Sequence, residues 1–382
     1  MPDTTVAVIG GGVVGAAVLF TLAHRGVAAT LLEADTGLAY GASGTNSGVL
    51  HTGFDAKPGE LETALILHAA RLRDPVLDAL GVPVLHCGAE LTPRTDAERA
   101  TVAGLAENAR RNGVPVHVRA EDGALVVPGE SITDPVAHTL ALAGAGVRAG
   151  AAVRTDARVE GIDQHADGLT LHLADGGHLT CSVGINCAGL HADTVARLVG
   201  DGSFEIYPRK GEFFVFELPH GASLDRILLP VPTARTKGVL VFPTLDGKVV
   251  AGPTAVDQQD KTDWTVRPEA VGEVLDTAVA RFPALDGLQP VASYAGLRPA
   301  GRDTNYRIGP STTCAKLVNV AAVRSTGLTA SLGIGAHVAE LLPALGVAIG
   351  PVQAPARAPA AAPADIPWWA RTARHHGLSP TR

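Results

Sequence analysis

Cysteine is scarce in this chain of 382 residues, which holds only Cys87, Cys181, Cys187 and Cys314. No two of them form a C-x-x-C pair, so we expect neither a metal site nor thioredoxin-type redox chemistry. Buried free thiols are typical of a protein of the reducing cytoplasm. A basic region before the first apolar stretch is also missing, which argues against a signal peptide. The sequence therefore predicts a cytoplasmic protein.

Positive charge and long apolar runs are lacking as well. The 31 Lys and Arg residues are outnumbered by 38 Asp and Glu residues, which gives a net charge of -7. A nucleic-acid surface needs clustered cations, and a membrane-spanning helix needs at least about 18 apolar residues in a row. We therefore expect no nucleic-acid partner and no integral membrane segment. We also expect the protein to be a monomer or a small homo-oligomer.

Glycine, by contrast, is abundant, and a G-x-G-x-x-G motif occupies residues 10–15. The motif directly follows the apolar run Val6–Ile9, which has the composition of a buried parallel strand. A helix is predicted over Ala16–His24 and a second buried strand over Val27–Leu32. Together these segments predict a β-α-β unit with the glycine motif in its first turn.

Each glycine of the motif has a physical role in binding a dinucleotide. Gly10 permits the tight turn, Gly12 lets the backbone approach a pyrophosphate, and Gly15 lets the helix pack closely on the strand. Free N–H groups at the start of the helix then face the phosphates. Glu33 ends the second predicted strand, where a carboxylate binds ribose hydroxyls and repels a 2′-phosphate.

The C-terminal half of the chain indicates which dinucleotide is bound. A second glycine-containing stretch, Gly327–Gly333, precedes another predicted helix. The N-terminus of that helix would stabilise negative charge on the pyrimidine ring of a reduced flavin. A nicotinamide enzyme needs no such second loop, so we expect FAD rather than NAD.

Two kinds of pattern alternate along the chain and predict an α/β and α+β fold. A Rossmann-like FAD-binding domain is interleaved with an antiparallel-sheet substrate domain. The FAD-binding domain is assigned to residues 1–84, 134–205 and 294–350. The substrate domain is assigned to residues 85–133 and 206–293. Residues 351–382 form a Pro/Ala-rich linker and a tail whose Trp368 and Trp369 we expect to pack back on the body.

Five motifs follow one another in the chain: the glycine motif, then Gly41–His51, Asn186–Leu190, Tyr294–Pro299 and Gly327–Ser331. In this order they resemble the D-amino-acid-oxidase-type superfamily of FAD-dependent oxidoreductases. The resemblance spans about residues 5–345. It is greatest to the L-2-hydroxyglutarate oxidase and glycerol-3-phosphate oxidase branch, on the segments Ser47–His51, Lys57–Gly59, Lys237–Pro243 and Gly252–Thr254.

The resemblance implies a non-covalent FAD, a histidine facing the flavin at His51 and an anion-binding arginine at Arg298. Thr52 departs from the small residue usual after the histidine, and Phe54 and Asp55 replace the commoner aromatic or Tyr-Asp pairs. Cys314 does not match the covalent attachment site of sarcosine-oxidase relatives. The cofactor contacts expected from the motifs are Gly10, Gly12, Val13, Val14, Gly15, Glu33, Ala34, Ser43, Thr45, Asn46, Ser47, Ala188, Gly189, Arg298, Gly327, Leu328 and Thr329.

The chemistry of alcohol oxidation gives each site residue a role. A base must remove the hydroxyl proton while a hydride leaves carbon, and histidine suits that transfer near neutral pH. We assign this role to His51. The planar fork of Arg298 can hold a carboxylate or phosphate. Arg302 ranks second as an anion ligand, and Lys237 is expected to reach a more distal anion.

The sequence therefore predicts an FAD-dependent oxidase or dehydrogenase. It would move a hydride from the carbinol carbon of a small anionic hydroxy acid or hydroxy phosphate to flavin N5, and then pass electrons to oxygen or another acceptor. An amine or D-amino-acid oxidase of the same fold is the alternative, because a substrate nitrogen needs no strong base. A non-catalytic flavin-binding protein and a nicotinamide-dependent reductase are further alternatives.

Overall fold

A computed structural model of the chain describes residues 2–233, 238–359 and 365–379. The helices within them are α1 (Val13–Ala23), α2 (Leu61–Ala79), α3 (Asp96–Asn112), α4 (Pro135–Arg148), α5 (Ala192–Arg197), α6 (Ala270–Arg281), α7 (Gly327–Leu341) and α8 (Trp368–His375). The strands are β1 (Thr4–Ile9), β2 (Ala29–Leu32), β3 (Val49–Leu50), β4 (Val84–Leu85), β5 (Ala89–Leu91), β6 (His117–Val118), β7 (Leu125–Val127), β8 (Ser131–Thr133), β9 (Ala152–Arg154), β10 (Val159–Gln164), β11 (Leu169–Leu173), β12 (His178–Asn186), β13 (Ile206–Phe216), β14 (Ile227–Leu228), β15 (Leu240–Pro243), β16 (Val249–Gly252), β17 (Val256–Asp257), β18 (Ala292–Gly301), β19 (Arg307–Pro310) and β20 (Leu317–Ala321).

The first sheet has a parallel core in the order β9-β2-β1-β12-β20. An antiparallel hairpin of β10 and β11 extends it beside the first half of β12, and β19 pairs antiparallel with β20. The strands β1, β2 and β20 are almost wholly buried, as parallel strands usually are, which explains why their residues are mostly apolar. Their carboxyl ends meet at one edge, which is where open α/β sheets bind ligands.

Helix α1 begins on the glycine motif itself, at Val13 rather than at the predicted Ala16. Gly12 is the N-cap residue and has extended backbone angles, so the helix can start directly behind the turn. A Cβ at Gly15 would overlap the carbonyl oxygen of Gly10. Only glycine therefore allows α1 to pack this closely on the end of β1.

Helix α7 packs against both α1 and α2. Its small residues allow close contact, because a Cβ at Gly333 would overlap the carbonyl oxygen of Leu65 in α2. By length and composition the stretch Gly327–Leu345 is apolar enough to cross a membrane, although 61% of it is buried inside the protein. The expected lack of an integral membrane segment stays a prediction.

The second sheet is mainly antiparallel, in the order β17-β13-β16-β15-β14-β5-β7-β6. β18 pairs with β13 along its whole length, from Ile206 opposite Gly301 to Val215 opposite Ala292. The domain boundary predicted before residue 294 falls inside β18. Tyr294–Pro299, which the sequence assigned to the FAD-binding domain, therefore lie in a strand of the second sheet.

The C-terminal segment packs back on the body, as expected from its tryptophans. Trp368 and Trp369 of α8 are both buried. The ring of Trp368 makes a T-shaped contact with the ring of Tyr294 in β18, with 5.4 Å between the ring centroids. This contact attaches the end of the chain to the second sheet.

The four cysteines are free thiols, and all but the partly exposed Cys87 are buried. Burial raises the pKa of Cys181 to about 12, so its thiol stays protonated at neutral pH. Cys314 lies in an apolar cluster with Leu317 and Ile162.

Candidate active site

A cavity of about 940 Å³ lies at the carboxyl ends of the parallel strands and extends to the second sheet. Most of the expected site residues line it together. From the cofactor set these are Gly10, Gly12, Val13, Val14, Glu33, Ala34, Ser43, Thr45, Asn46, Ser47, Ala188, Gly189, Gly327 and Leu328, and with them His51 and Arg298.

The glycine motif forms the part of the cavity wall that suits a diphosphate. The backbone N–H of Val13 donates to Oγ of Ser43 at 2.8 Å, which attaches the 41–47 loop to the start of α1. A Cβ at Gly12 would come within 3.0 Å of the same Oγ. The site is thus a cradle that a side chain would fill, at a helix end whose N–H groups attract anions.

Glu33 lies at the carboxyl end of β2 and is partly buried beside the motif. Its Oε2 accepts from the N–H of Gly11 at 2.5 Å, and its Oε1 accepts from the N–H of Asp35 at 2.9 Å. Burial raises the pKa of this carboxyl above its usual value, although the backbone N–H groups oppose the shift. The carboxylate is held where a ribose would be recognised.

His51 follows β3 directly and is fixed by contacts to its main chain. Its N–H donates to Oγ1 of Thr329 at 3.1 Å, and its carbonyl oxygen accepts from Nη1 of Arg73 at 3.0 Å. Thr329 therefore positions the histidine loop and does not line the cavity. Gly15 likewise does not line the cavity, and its role is to let α1 pack closely on the end of β1.

The imidazole of His51 is paired with Glu130, a residue that sequence reasoning missed. Nδ1 of His51 lies 2.8 Å from Oε2 of Glu130, whose side chain is fully buried. Oε1 of Glu130 accepts from both the backbone N–H of Thr52, at 2.7 Å, and its hydroxyl, at 2.9 Å. Thr52, a departure from the family pattern, thus supports the carboxylate.

The pairing of β3 with β8 explains why these two residues meet. Leu50 of β3 lies opposite Ser131 of β8 in the antiparallel register. The next pair of facing positions is therefore His51 and Glu130. A carboxylate on Nδ1 sets the tautomer and leaves Nε2 as the reactive nitrogen. None of the described residues forms a hydrogen bond with Nε2, and His51 lines the cavity.

Arg298 lies on β18 opposite Arg209 of β13. Its Nη1 donates to the carbonyl oxygen of Arg209 at 3.3 Å and its Nη2 to that of Thr254 at 3.1 Å. A Cβ at Gly211 would overlap Nη2, so glycine at this position makes room for the guanidinium.

The charge of Arg298 is not neutralised within the described part of the chain, because no carboxylate there lies within ion-pair distance of it. Burial, together with the neighbouring cations Arg209 and Arg324, lowers its pKa to about 10. Arg209 has an ion pair with Asp257 at 3.5 Å, and the exposed Arg324 lines the cavity. This end of the cavity therefore carries excess positive charge and favours an anion.

Two predicted substrate ligands do not contribute to this site. Arg302 lies on the surface, where its Nε is 3.1 Å from Oε2 of Glu205, and it is not part of the cavity wall. The role predicted for Arg302 is therefore wrong: Arg302 follows the last residue of β18, four positions after Arg298, and lies outside the cavity. Lys237 lies outside the described residues.

The structure also adds residues that no motif indicated. Lys261 and Trp264 from the loop after β17, and His376 from the C-terminal tail, line the cavity beside the cofactor positions. Cys314 does not line it, whereas Cys187 does. Burial holds the pKa of the Cys187 thiol well above its usual range.

A dinucleotide cleft that ends in a histidine–carboxylate pair and an anion site defines a class, that of the dinucleotide-dependent oxidoreductases. The family model for FAD dependent oxidoreductases, DAO, matches residues 5–341. The chain belongs to this family and is an FAD-dependent oxidoreductase.

Two groups of relatives match a large part of the chain. A glycerol 3-phosphate oxidase of Mycoplasma pneumoniae is 28% identical over 90% of this chain and 95% of its own length. A glycerol 3-phosphate dehydrogenase of Caloramator mitchellensis is 28% identical over 88% of this chain and 73% of its own. An L-2-hydroxyglutarate dehydrogenase of Escherichia coli is 29% identical over 65% of this chain, which spans 63% of that protein.

A solved structure also shows the similarity of this chain to the glycerol 3-phosphate oxidases. The L-alpha-glycerophosphate oxidase of Mycoplasma pneumoniae with FAD bound superimposes with a TM-score of 0.85 and 25% identity, over 94% of this chain and 99% of that one. A glycine oxidase of Geobacillus kaustophilus, at 24% identity and a TM-score of 0.80, shares the fold. The predicted fold class and the predicted FAD are thereby confirmed.

The residues of the cleft fit FAD. The glycine cradle and the start of α1 would hold the diphosphate, Glu33 the adenosine ribose, and the start of α7 the flavin pyrimidine ring. Ala322, whose φ of 55° lies in the left-handed region, turns the chain from β20 toward α7 and lines the cavity.

Replacing Glu130 with glutamine should slow reduction of the bound flavin by substrate at least about 10²-fold, because the amide orients His51 but cannot stabilise its protonated form. Stopped-flow absorbance under anaerobic conditions would measure the limiting rate constant and the substrate dissociation constant separately. The rate constant should fall and the dissociation constant should change little. Glu121→Gln, the same change at an exposed residue outside the cavity wall, is the control. A wild-type rate in Glu130→Gln would reduce Glu130 to a structural role.

Proposed function

We propose that the protein dehydrogenates a small anionic hydroxy acid or hydroxy phosphate at its carbinol carbon. His51 is the base that removes the hydroxyl proton, and Arg298 is the anchor of the anionic group. Bound FAD supplies the two-electron acceptor, at flavin N5, for the hydride that leaves carbon. The products are then a carbonyl compound, a protonated His51 and a reduced cofactor.

The observation that carries this proposal is the contact of Glu130 with Nδ1 of His51 at 2.8 Å. A neutral imidazole held in this way has its lone pair on Nε2, ready to accept the hydroxyl proton. As the proton arrives, the buried carboxylate stabilises the imidazolium. An amine substrate needs no such arrangement, because the lone pair of its neutral nitrogen lets the hydride leave the adjacent carbon without a base.

The cations at the other end of the cavity support an anionic substrate. Arg298 is partly buried without a carboxylate partner among the described residues, and Arg324 adds a second positive charge to the cavity wall. A bidentate contact from Arg298 to a carboxylate or phosphate would restore local neutrality and orient the substrate. The related proteins named for glycerol 3-phosphate and L-2-hydroxyglutarate point to the same chemical class.

Anaerobic bleaching of the flavin by a panel of compounds would test this function. Glycerol 3-phosphate, L-2-hydroxyglutarate, L-lactate, glycine and D-alanine are mixed in turn with the oxidised protein, and flavin absorbance is followed. We expect one or more of the anionic hydroxy compounds to bleach the flavin, and uncharged glycerol to fail. Bleaching by the amines alone would establish the alternative, an amine oxidase, and no bleaching at all would contradict both.

A further inference from the structure

The chain continues beyond the stretch that the family model matches. That match ends at residue 341, whereas the described residues 365–379 form α8 and a short extension. The buried Trp368 and Trp369 anchor α8 on the second sheet, which places its C-terminal end at the mouth of the cavity. We call residues 368–376 the C-terminal clasp.

One side of the clasp contacts the loop that follows β2. Arg371 donates from Nη1 to the carbonyl oxygen of Leu38 at 3.0 Å, and its guanidinium carbon lies 4.1 Å from the ring centroid of Tyr40. His375 stacks on the same ring, with centroids 3.7 Å apart and planes at 7°. Its Nε2 lies 3.1 Å from Oδ1 of Asp35.

This loop carries the expected contacts to the adenosine half of the cofactor. The N–H of Asp35 donates to Oε1 of Glu33 at 2.9 Å, and Ser43 farther along accepts from the N–H of Val13 at 2.8 Å. The clasp is therefore attached to the segment that joins the ribose position to the diphosphate position.

The other side of the clasp reaches across the cavity to the second sheet. His376 lines the cavity and stacks on Trp264, with ring centroids 4.2 Å apart and planes at 10°. Its Nε2 lies 3.0 Å from the carbonyl oxygen of Tyr40. His376 thus bridges the two walls of the cleft, one from the loop after β2 and one from the loop after β17.

The hydrogen bond to Tyr40 also determines what His376 offers to a ligand. A carbonyl oxygen only accepts, so Nε2 carries the proton. In the neutral ring Nδ1 is then an acceptor, and no described residue donates to it. Burial lowers the pKa of His376, which favours this neutral form. An acceptor at this place in the cavity matches a sugar hydroxyl and disfavours a phosphate oxygen.

We propose that the C-terminal clasp is part of the FAD site: it closes the cleft over the sugar portion of the dinucleotide, and His376 Nδ1 accepts a hydroxyl hydrogen from it. The clasp must then open for FAD to leave. The proposal rests on the FAD dependence of the family and is independent of which substrate is oxidised.

The release of FAD from the holoprotein tests the role of His376. His376→Ala should release FAD about tenfold faster than the wild type, the effect of losing one hydrogen bond and one ring stack. His220→Ala, an exposed change, should release FAD at the wild-type rate. Flavin fluorescence recovery on dilution gives the rate without any turnover. Wild-type release from His376→Ala would overturn the proposal.

A second measurement leaves the sequence of the clasp intact. Because coupling between sites is reciprocal, FAD that contacts the clasp must also stabilise it. Hydrogen exchange of the amides of residues 368–376 should be slower in the holoprotein than in the protein freed of FAD. Equal exchange rates in the two forms would contradict the proposal, whatever substrate the enzyme oxidises.

Discussion

Replacing His51 with alanine should lower the rate constant of flavin reduction by a hydroxy substrate about 10²- to 10⁴-fold, the usual contribution of a general base. The reason is that Nδ1 of His51 is held by Glu130, while Nε2 has no hydrogen-bond partner in the part of the chain that the structure describes. The measurement is anaerobic stopped-flow absorbance at saturating substrate. FAD content should be unchanged, since His51 follows β3 and is not part of the glycine cradle.

The control for this variant is His117→Ala, an exposed histidine on β6. It should reduce its flavin at the wild-type rate. If His51→Ala retained near-normal reduction by a hydroxy substrate, the proton would have another acceptor and the proposed mechanism would fail. Combining His51→Ala with Glu130→Gln sharpens the test. The double variant should be no slower than His51→Ala, because Glu130 acts through the imidazole.

Replacing Arg298 with methionine should lower kcat/KM for an anionic substrate by about 10²-fold or more, as expected for removal of a buried cation that pairs with a charged group. The loss should be largest in KM if the arginine binds substrate and transition state alike. Arg298→Lys should recover only part of it, because a lysine cannot form the bidentate contact.

Arg302→Met is the matched control, because Arg302 directly follows the strand that carries Arg298 and pairs with Glu205 at the surface. Exposed ion pairs contribute about 0–1 kcal/mol, so its kinetics and stability should stay close to wild type. Arg298→Met should not lower the free energy of unfolding, because it removes a partly buried charge that has no carboxylate partner among the described residues. Equal kinetic effects of the two variants would contradict an anion site at Arg298.

Much of the cofactor site was predictable because its signals are local. A turn that needs glycine at residues 10, 12 and 15 places them at a fixed spacing, directly between a strand and a helix. The placement of Glu33 follows from the length of the β-α-β unit. The start of α7 is read from Gly327 in the same way. These features depend on backbone geometry within a few tens of residues, so a single sequence is sufficient to identify them.

The partners of the reacting groups were decided by tertiary structure. Glu130 meets His51 only because β3 pairs with β8 in one register, and nothing near either residue indicates that pairing. Arg298 and Arg302 look alike in sequence, yet only Arg298 reaches the cavity, where it is partly buried, whereas Arg302 forms an ion pair at the surface. The tail was expected to pack somewhere, but its contact with the cleft depends on Tyr40 and Trp264, both distant in the chain.

The sequence by itself indicated that this protein binds a dinucleotide and that FAD is the one, and it predicted that His51 and Arg298 belong to the site. Tertiary structure decided that β18 belongs to the second sheet, that Glu130 supports the histidine and that the C-terminal helix reaches the cofactor cleft. The physical reason is the range of the interactions. Turns and helix starts depend on neighbouring residues, whereas strand register and the packing of a tail depend on apolar surfaces that meet only in the folded chain.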